Sequence, residues 1–195
     1  MANPDKLPLI LAINPGATST KIGLLAGNVW RLRQVIPHDA ADLAKYDRVI
    51  DQYQYRLGLV RQALNEHRIS PEDLTAVVAR GGLLRPCAGG TYRINEEMLK
   101  DLEACTYGIH VSNLAPIIAY NLATPLGIPC FIVDPVTVDE FWPLSRLSGL
   151  PGVSRRSQGH ALNSKAVAHR VAKELGRPYT DLNLITIHLG SGISV

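Results

Sequence analysis

Short apolar runs separated by small polar turns occupy the first part of the chain. Residues 9–14 and 19–25 are rich in Ile and Leu and flank a Pro-Gly turn, and a third apolar run covers residues 29–36. Runs of this length, bounded by turn residues, are typical of β-strands. The pattern therefore predicts an antiparallel meander of three strands.

The pattern then changes from hairpins to a helix followed by a strand. Between residues 51 and 67 the apolar side chains recur at helical spacing. These side chains are Tyr53, Leu57, Val60, Ala63 and Leu64. Ser70 and Pro71 end the predicted helix and lead into a short apolar run at residues 74–79, for which we expect a strand.

Two further helices and a strand are predicted in the middle of the chain. Asn95 is a good N-cap residue for a helix at residues 96–105, and Ser112 can open another helix that runs to about residue 126. The apolar run at residues 130–133 indicates another buried strand. This part of the chain therefore alternates helices and strands.

A polar loop and an amphipathic helix follow. The loop at residues 143–159 is rich in Pro, Gly, Ser and Arg. The apolar pattern of residues 161–175 predicts an amphipathic helix that Gly176 and Pro178 end.

The strand and glycine turn of the N-terminus have a counterpart at the C-terminus. Residues 182–187 are predicted as a strand that enters the turn at residues 188–192, and the next strand has only begun at Val195. Hairpin strands followed by alternating helices and strands predict an α/β fold with a mixed sheet. We expect a first domain at residues 1–180 and the truncated start of a similar second domain at residues 181–195.

Composition and charge exclude several functional classes. With 195 residues, of which 46% are hydrophobic, the chain has the composition of a globular protein. A net charge of +3, with scattered basic residues, does not favour a nucleic-acid partner. The three cysteines lack metal-ligand spacing, and no apolar run approaches the roughly 20 residues of a membrane span. We therefore expect a cytoplasmic protein with neither a nucleic-acid nor a membrane partner.

The first glycine turn combines groups that can bind phosphate. Its candidate groups are Asn14, Gly16, Thr18, Ser19 and Lys21. Together they supply backbone N–H groups, hydroxyls and a cation. The turn is not a Walker A loop, because the G-x-x-x-x-G-K-[ST] spacing is absent and a strand follows. A plain hairpin connection remains the alternative.

The second glycine turn favours the interpretation of phosphate binding over that of a plain hairpin connection. Gly190 and Gly192 bracket Ser191, which allows the backbone to approach a ligand closely. His188 stands at the start of this turn. Two such turns in one chain favour a duplicated phosphate-binding domain.

Two residues at strand ends are candidates for catalysis. Arg80 ends an apolar strand and precedes two glycines that would let a ligand approach, so its side chain can bind a carboxylate or a phosphoryl group. Asp134 follows the strand at residues 130–133, and a carboxylate there points into the ligand crevice of an α/β sheet. The alternatives are a surface arginine and a turn-forming aspartate before Pro135.

The ordered set of motifs resembles the acetate and butyrate kinase family, and within it the butyrate kinases. The residues that carry the resemblance are Ile13-Asn14-Pro15-Gly16, Thr18-Ser19-Thr20-Lys21, Arg80-Gly81-Gly82, Asp134, Arg155-Arg156, Gly159-His160 and His188-Leu189-Gly190-Ser191-Gly192. The resemblance covers residues 9–195. It implies two actin-like (ribonuclease H-like) domains with ATP and a carboxylic acid bound between them.

The resemblance also implies an activity, namely conversion of butanoate and ATP to butanoyl phosphate and ADP with Mg²⁺. Acetate, propionate and branched-chain acids are the nearest alternative substrates, and a non-catalytic actin-like module is the alternative of a different class. Family members are commonly oligomeric, so a homo-oligomer is expected for a full-length protein. The 195 residues alone are expected to have little kinase activity and to expose the apolar residues 184–187.

The family pattern assigns roles to particular residues. Asn14 is matched to a magnesium or phosphate ligand, Asp134 to the carboxylate that acts through magnesium, and His160 to the histidine that contacts the phosphoryl group. The alternative for His160 is a capping or exposed histidine. Ala17 departs from the pattern, because the family usually has a serine there.

A second departure concerns the arginine. Acetate kinases have a histidine before this Gly-Gly pair and their key arginine three residues earlier, where this chain has Val77. The role assigned to Arg80 therefore assumes a local shift.

Overall fold

The computed structural model describes residues 7–190, 193 and 194. The chain forms two compact units: the first comprises the chain up to Leu84 together with Gly90–Val133, and the second comprises Arg85–Gly89 together with the chain from Asp134 onward. None of the described helices combines the length and hydropathy needed to cross a lipid bilayer.

The first unit is built on a six-stranded mixed sheet with strand order β3-β2-β1-β4-β6-β5. Its strands are β1 (Leu9–Pro15), β2 (Ser19–Ala26), β3 (Val29–Pro37), β4 (Ala76–Arg80), β5 (Thr91–Arg93) and β6 (Cys130–Val133). The strands β1, β2 and β3 form the predicted antiparallel meander, whereas β1, β4 and β6 are mutually parallel. The predicted mixed α/β fold is therefore confirmed.

The strand β5 was not predicted from the sequence. It has only three residues and pairs with β6 in the antiparallel direction. Its pattern is too short to show the alternation by which strands are recognised.

The described part of the first unit contains four α-helices. They are α1 (Ala40–Leu43), α2 (Tyr53–Glu66), α3 (Glu96–Glu103) and α4 (Leu114–Ala123). The side chain of Asn95 caps α3 by accepting a hydrogen bond from the Met98 N–H at 2.8 Å, as predicted. Ser112 does not open α4; it lies within the single 3-10 turn Val111–Asn113 that precedes this helix, and the side chain of His110 caps that turn instead.

The core of the first unit lies where α4 packs on the parallel strands, with α2 and α3 packed on α4. Helix α4 is apolar around almost its whole circumference, as expected for a helix covered on several sides. Its most deeply buried side chains are Leu114, Ala115, Ile117, Ile118, Ala119 and Ala123.

The second unit contains α5 (Ala161–Glu174) and a two-stranded antiparallel sheet of β7 (His188–Leu189) and β8 (Ile193–Ser194). The helix ends as predicted. Gly176 has φ +64°, and the N–H of Arg177 donates to the carbonyl oxygen of Ala172 at 3.1 Å, which satisfies a carbonyl of the last turn.

The strand predicted at residues 182–187 is not formed. This segment has no regular strand structure, and Ile185 is 84% exposed. Residues form a β-strand only when a neighbouring strand accepts their backbone hydrogen bonds, and the pairing in this region begins at His188. The expected exposure of apolar side chains is confirmed, because Leu184 is 37% and Ile187 is 57% exposed.

Candidate functional site

The first glycine turn closes β1 and β2 tightly. The Gly16 N–H donates to the carbonyl oxygen of Ser19 at 2.7 Å, and Pro15 and Thr20 form the last pair of the ladder. A Cβ on Gly16 would lie 3.3 Å from that same carbonyl oxygen, so the turn favours glycine at this position. The turn presents Ala17 and Thr18 to solvent.

The predicted phosphate ligands of this turn lie at one edge of the sheet. Asn14 and Lys21 are exposed register partners at the end of β1 and the start of β2. Ser19 is half-buried, and the carbonyl oxygen of Thr18 accepts a hydrogen bond from the His38 N–H at 2.9 Å. The turn is therefore anchored on its inner side and polar on its outer side.

Arg56, which belongs to none of the predicted site motifs, lies directly beneath this turn. Its side chain is 1% exposed. The guanidinium donates to the carbonyl oxygens of Gly16 at 2.8 Å and Ala17 at 3.4 Å, and to the Gln52 side chain at 3.1 and 2.8 Å. A fifth hydrogen bond, of 3.3 Å, reaches Thr20 Oγ1. All five N–H donors of the guanidinium are thus satisfied.

A signal for Arg56 was present in the sequence. It occupies a position of α2 that falls on the same face as Tyr53, Leu57 and Val60, and Gln52 precedes it by one helical turn. An arginine on the buried face of a helix needs hydrogen-bond partners from elsewhere in the fold. The sequence alone does not identify those partners.

Thr20 links Arg56 to a buried histidine. Thr20 Oγ1 and His38 Nε2 are 2.8 Å apart, and both side chains are buried. Thr20 Oγ1 also accepts a hydrogen bond from Arg56, so Thr20 joins the buried cation to His38. Burial, followed by the charge of Arg56, lowers the pKa of His38 from 6.5 to about 4.

Arg80 ends β4 at the same edge of the sheet as the first glycine turn. In the parallel pairing of β1 with β4, Ile13 lies opposite Ala79, so Asn14 and Arg80 are the next residues on adjacent strands. Arg80 is half-buried. The first unit therefore brings together the predicted phosphate ligand Asn14 and the predicted carboxylate ligand Arg80 at one sheet edge.

Gly82, the second glycine after Arg80, is closely packed by protein. A Cβ on Gly82 would lie 2.7 Å from Oδ1 of Asn113 and 2.7 Å from a methyl carbon of Leu102. Asn113 Oδ1 accepts from the Leu83 N–H at 2.8 Å. The space at Gly82 is occupied by protein, so this glycine permits close packing rather than the approach of a ligand.

Asp134 opens the second unit with an unusual backbone conformation. Its φ is +39°, a region that few residues other than glycine adopt and in which aspartate is enriched. The side chain is 12% exposed, and its Oδ1 lies 3.5 Å from Lys165 Nζ. Backbone strain of this kind concentrates at functional sites, so Asp134 stays a candidate for catalysis.

Lys165 connects Asp134 with Glu140. Lys165 Nζ lies 3.3 Å from the Glu140 carboxylate, which also accepts a hydrogen bond from the Gly89 N–H at 2.8 Å. The hydrogen bond from Gly89, and then that from Lys165, lowers the pKa of Glu140 against the effect of burial. The ammonium lies so close to Gly89 that a Cβ there would be 1.9 Å away. Sequence reasoning missed this cluster, because its members are far apart in the chain.

The second unit also brings His160 and His188 together. Their rings are stacked, with centroids 3.8 Å apart. The side chain of His160 makes no capping hydrogen bond at the start of α5, which removes the capping alternative. In the same unit, the guanidinium carbon of Arg155 lies 5.3 Å from the centroid of the Phe141 ring.

The second glycine turn is described only in part. His188 is half-buried and Gly190 is exposed, whereas Ser191 and Gly192 lie outside the described residues. His188 pairs with Ser194 and Leu189 with Ile193 in the antiparallel direction, as β1 pairs with β2. Its role in phosphate binding stays a prediction.

The described part of the chain contains no group of three His, Cys, Asp or Glu side chains that could hold a metal ion. A magnesium ion that arrives with a nucleotide needs fewer protein ligands, because it keeps several waters and binds the phosphates.

Comparison with known proteins identifies the fold. No family model matches the chain. Acetate kinase from Porphyromonas gingivalis has a similar structure, with a TM-score of 0.64 and 21% sequence identity over 95% of this chain and 53% of that one. Acetate kinase from Entamoeba histolytica matches with a TM-score of 0.57 and 16% identity over 86% of this chain and 46% of that one. A propionate kinase from Francisella tularensis subsp. tularensis matches with a TM-score of 0.55 and 18% identity over 96% of this chain and 53% of that one.

These similarities establish the predicted acetate-kinase-like, actin-like α/β fold. The chain spans about half the length of the solved structures that it resembles. The predicted domain boundary at residue 181 and the predicted roles of the site residues stay predictions.

Proposed function

We propose that this chain provides the acid-binding and phosphate-binding part of an ATP-dependent kinase for short-chain carboxylates, with butanoate as the substrate. The observation that carries the proposal is the β1–β2 turn. It presents Asn14, Thr18 and Lys21 at a sheet edge above the buried cation Arg56, in a fold that resembles acetate and propionate kinases.

The chemistry needs charge neutralisation and alignment more than it needs a base. A carboxylate is already ionised at neutral pH. One of its oxygens attacks the γ-phosphorus of ATP and forms an O–P bond, while the bond from that phosphorus to the β–γ bridging oxygen breaks and ADP leaves with the electron pair. No proton is transferred. In-line positioning and stabilisation of the phosphoryl oxygens supply the rate enhancement.

In this proposal the residues of the first unit hold the acid and phosphate. Arg80 binds the carboxylate of the acid, since a guanidinium matches carboxylate geometry with two parallel hydrogen bonds. Asn14 and Ser19 bind phosphoryl oxygens at the neighbouring end of β1 and β2. These assignments rest on the side-by-side ends of β1 and β4.

The residues of the second unit are assigned to the nucleotide side of the reaction. Asp134 offers a carboxylate to magnesium or to its bound waters, a donor set that fits a nucleotide-borne ion. Magnesium, when bound, neutralises charge on the phosphates. His160 contacts the phosphoryl group, and the hairpin turn that begins at His188 holds the phosphates of ATP.

A hydroxamate assay for acyl phosphate tests this proposal. The assay is run on the 195-residue chain and on a version extended through a second domain, with acetate, propionate, butanoate and isobutanoate. We expect the extended protein to form acyl phosphate with the highest kcat/KM for butanoate, and the short chain to form little. A higher kcat/KM for acetate or propionate than for butanoate would change the proposed substrate but not the proposed reaction.

Variants of the extended protein connect the activity with the site. Arg80→Ala is expected to lower kcat/KM about a hundredfold or more, and Arg80→Lys to lower it less. Arg61→Ala, at an exposed arginine of α2, is the matched control and is expected to leave kcat/KM unchanged. An extended protein that is folded and binds ATP, yet phosphorylates none of the four acids, would favour the non-catalytic module instead.

A further inference from the structure

Arg56 is a buried cation whose charge no carboxylate neutralises within the described residues. Every hydrogen bond of its guanidinium goes to an uncharged group. No ion pair joins it to an acidic side chain of the described chain, and burial lowers the pKa of the guanidinium. An arginine nevertheless stays protonated in proteins, so a full positive charge remains under the β1–β2 turn. An isolated buried charge is costly, which suggests a compensating anion.

The hydrogen bonds of Arg56 also determine the orientation of the turn. In a trans peptide the C=O of one residue and the N–H of the next point in opposite directions. Arg56 holds the carbonyl oxygens of Gly16 and Ala17 inward, at 2.8 and 3.4 Å. The N–H groups of Ala17 and Thr18 therefore point outward, away from the guanidinium.

These two outward N–H groups are available to a ligand. Both residues are exposed, and within the described residues neither N–H donates to a backbone acceptor. Consecutive N–H groups that converge in a turn form a concavity that binds anions. The charge of Arg56 behind the same peptide groups strengthens the attraction.

We infer that Arg56 is a positioning residue that forms a phosphoryl-binding site from the N–H groups of Ala17 and Thr18 and supplies its positive charge. This inference rests on the proposed function and deepens it, because it explains how a turn that has Ala17 in place of a hydroxyl residue holds a phosphoryl group. Arg56 acts through the backbone and does not contact the ligand.

Titration of the ¹⁵N-labelled 195-residue chain with inorganic phosphate tests the inference without acid or nucleotide. We expect the amide resonances of Ala17 and Thr18 to shift more than any others, with a dissociation constant in the millimolar range. Chloride at matched ionic strength is expected not to reproduce these shifts. Absence of the shifts in the wild-type chain, or their appearance with butanoate but not with phosphate, would overturn the inference.

Two variants separate positioning from stability. Arg56→Lys keeps a charge but has three N–H donors in place of the five of the planar guanidinium, so it cannot make all the hydrogen bonds that hold the turn, and we expect phosphate to bind about tenfold more weakly. Leu64→Ala, at a fully buried position of the same helix, lowers stability but is expected to keep the wild-type dissociation constant. Equal phosphate affinity of Arg56→Lys and the wild type would assign Arg56 a structural role alone.

The outcome is independent of the kinase assay. Phosphate binding at Ala17 and Thr18 in a protein that forms no acyl phosphate would contradict the proposed function but not the anion site. Acyl phosphate formation without these amide shifts would contradict the anion site but not the proposed function.

Discussion

The imidazole rings of His160 and His188 stack face to face, with centroids 3.8 Å apart and planes inclined by 3°. The Asn163 side-chain amide lies 3.0 Å from Nδ1 of His188 and can donate to it, which leaves the proton of a neutral His188 on Nε2. The stack joins the start of α5 to the start of β7. Two residues that the sequence motifs assign to the same site are thus in contact within the second unit.

Removal of either ring should weaken the second unit, and the two losses should not add. We expect a coupling free energy of about 0.5–1.5 kcal/mol between His160→Ala and His188→Ala, because stacked rings stabilise each other. Hydrogen exchange of the α5 amides measures the local opening free energy of the single and double variants. His67→Ala, at an exposed histidine of the first unit, is the control. Additive losses would show that the stack contributes nothing of its own.

Stability should fall as the medium is acidified, because His38 must become protonated on unfolding. Burial and the charge of Arg56 lower its pKa from 6.5 to about 4 in the folded chain. Since the unfolded chain binds this proton more tightly, the contribution of neutral His38 is complete above its unfolded pKa. It is lost as the pH falls towards about 4, and the full loss is about 3 kcal/mol.

Urea unfolding at a series of pH values measures this loss. His38→Gln keeps a hydrogen-bond acceptor for Thr20 but does not titrate, so its free energy of unfolding should depend less on pH over the same range. An identical pH dependence in the variant and the wild type would place the titrating group elsewhere.

Local chemistry explains which parts of the fold the sequence predicts. Asn95 and Gly176 act within one turn of their own helices, and both helix ends form as expected. The strand at residues 182–187 depends on a partner strand, which local pattern cannot supply. Its apolar composition was therefore insufficient to predict a strand.

The candidate site also combines features that the local sequence predicts with features that depend on distant segments. The positions of Asn14 and Arg80 at strand ends follow from the order of the elements, and the parallel pairing of β1 and β4 makes them neighbours. Arg56 and Lys165 owe their surroundings to contacts between distant segments. Neither belongs to a motif, and apart from Gln52, which precedes Arg56 by one helical turn, the local sequence identifies none of their partners.

Gly82 and Gly58 should respond in opposite ways to the same substitution. A Cβ on Gly82 would meet buried Asn113 and Leu102 at 2.7 Å, so Gly82→Ala is expected to destabilise the chain by about 1–3 kcal/mol. Gly58 is exposed within α2, and a Cβ there would have no neighbouring atom within 4 Å. Gly58→Ala is therefore expected to stabilise by about 0.5–1 kcal/mol. Urea unfolding measures both, and a stable Gly82→Ala variant would refute the packing role of this glycine.

Lys165 should affect catalysis through Asp134 if the proposed kinase activity holds. Its ammonium lies 3.5 Å from Asp134 and 3.3 Å from Glu140, so it fixes the carboxylate assigned to magnesium. Burial opposes its charge, but the Glu140 and Asp134 carboxylates raise the pKa of Lys165, which keeps it cationic. In the extended protein we expect Lys165→Met to lower kcat about 10- to 100-fold, the usual effect of losing such a supporting group.

Gly89→Ala disturbs the same cluster without changing a charged residue. The added Cβ would lie 1.9 Å from Lys165 Nζ, 2.7 Å from Glu140 Oε1 and 3.0 Å from Asp134 Oδ1, so the ammonium must move and both carboxylates are disturbed while Lys165 itself is retained. We expect kcat to fall in this variant as well, with KM for butanoate less affected, because the acid is assigned to Arg80 in the first unit. Lys173→Met, at an exposed lysine of the same helix, is the matched control. Wild-type kcat in both Lys165→Met and Gly89→Ala would show that the position of Asp134 does not depend on Lys165.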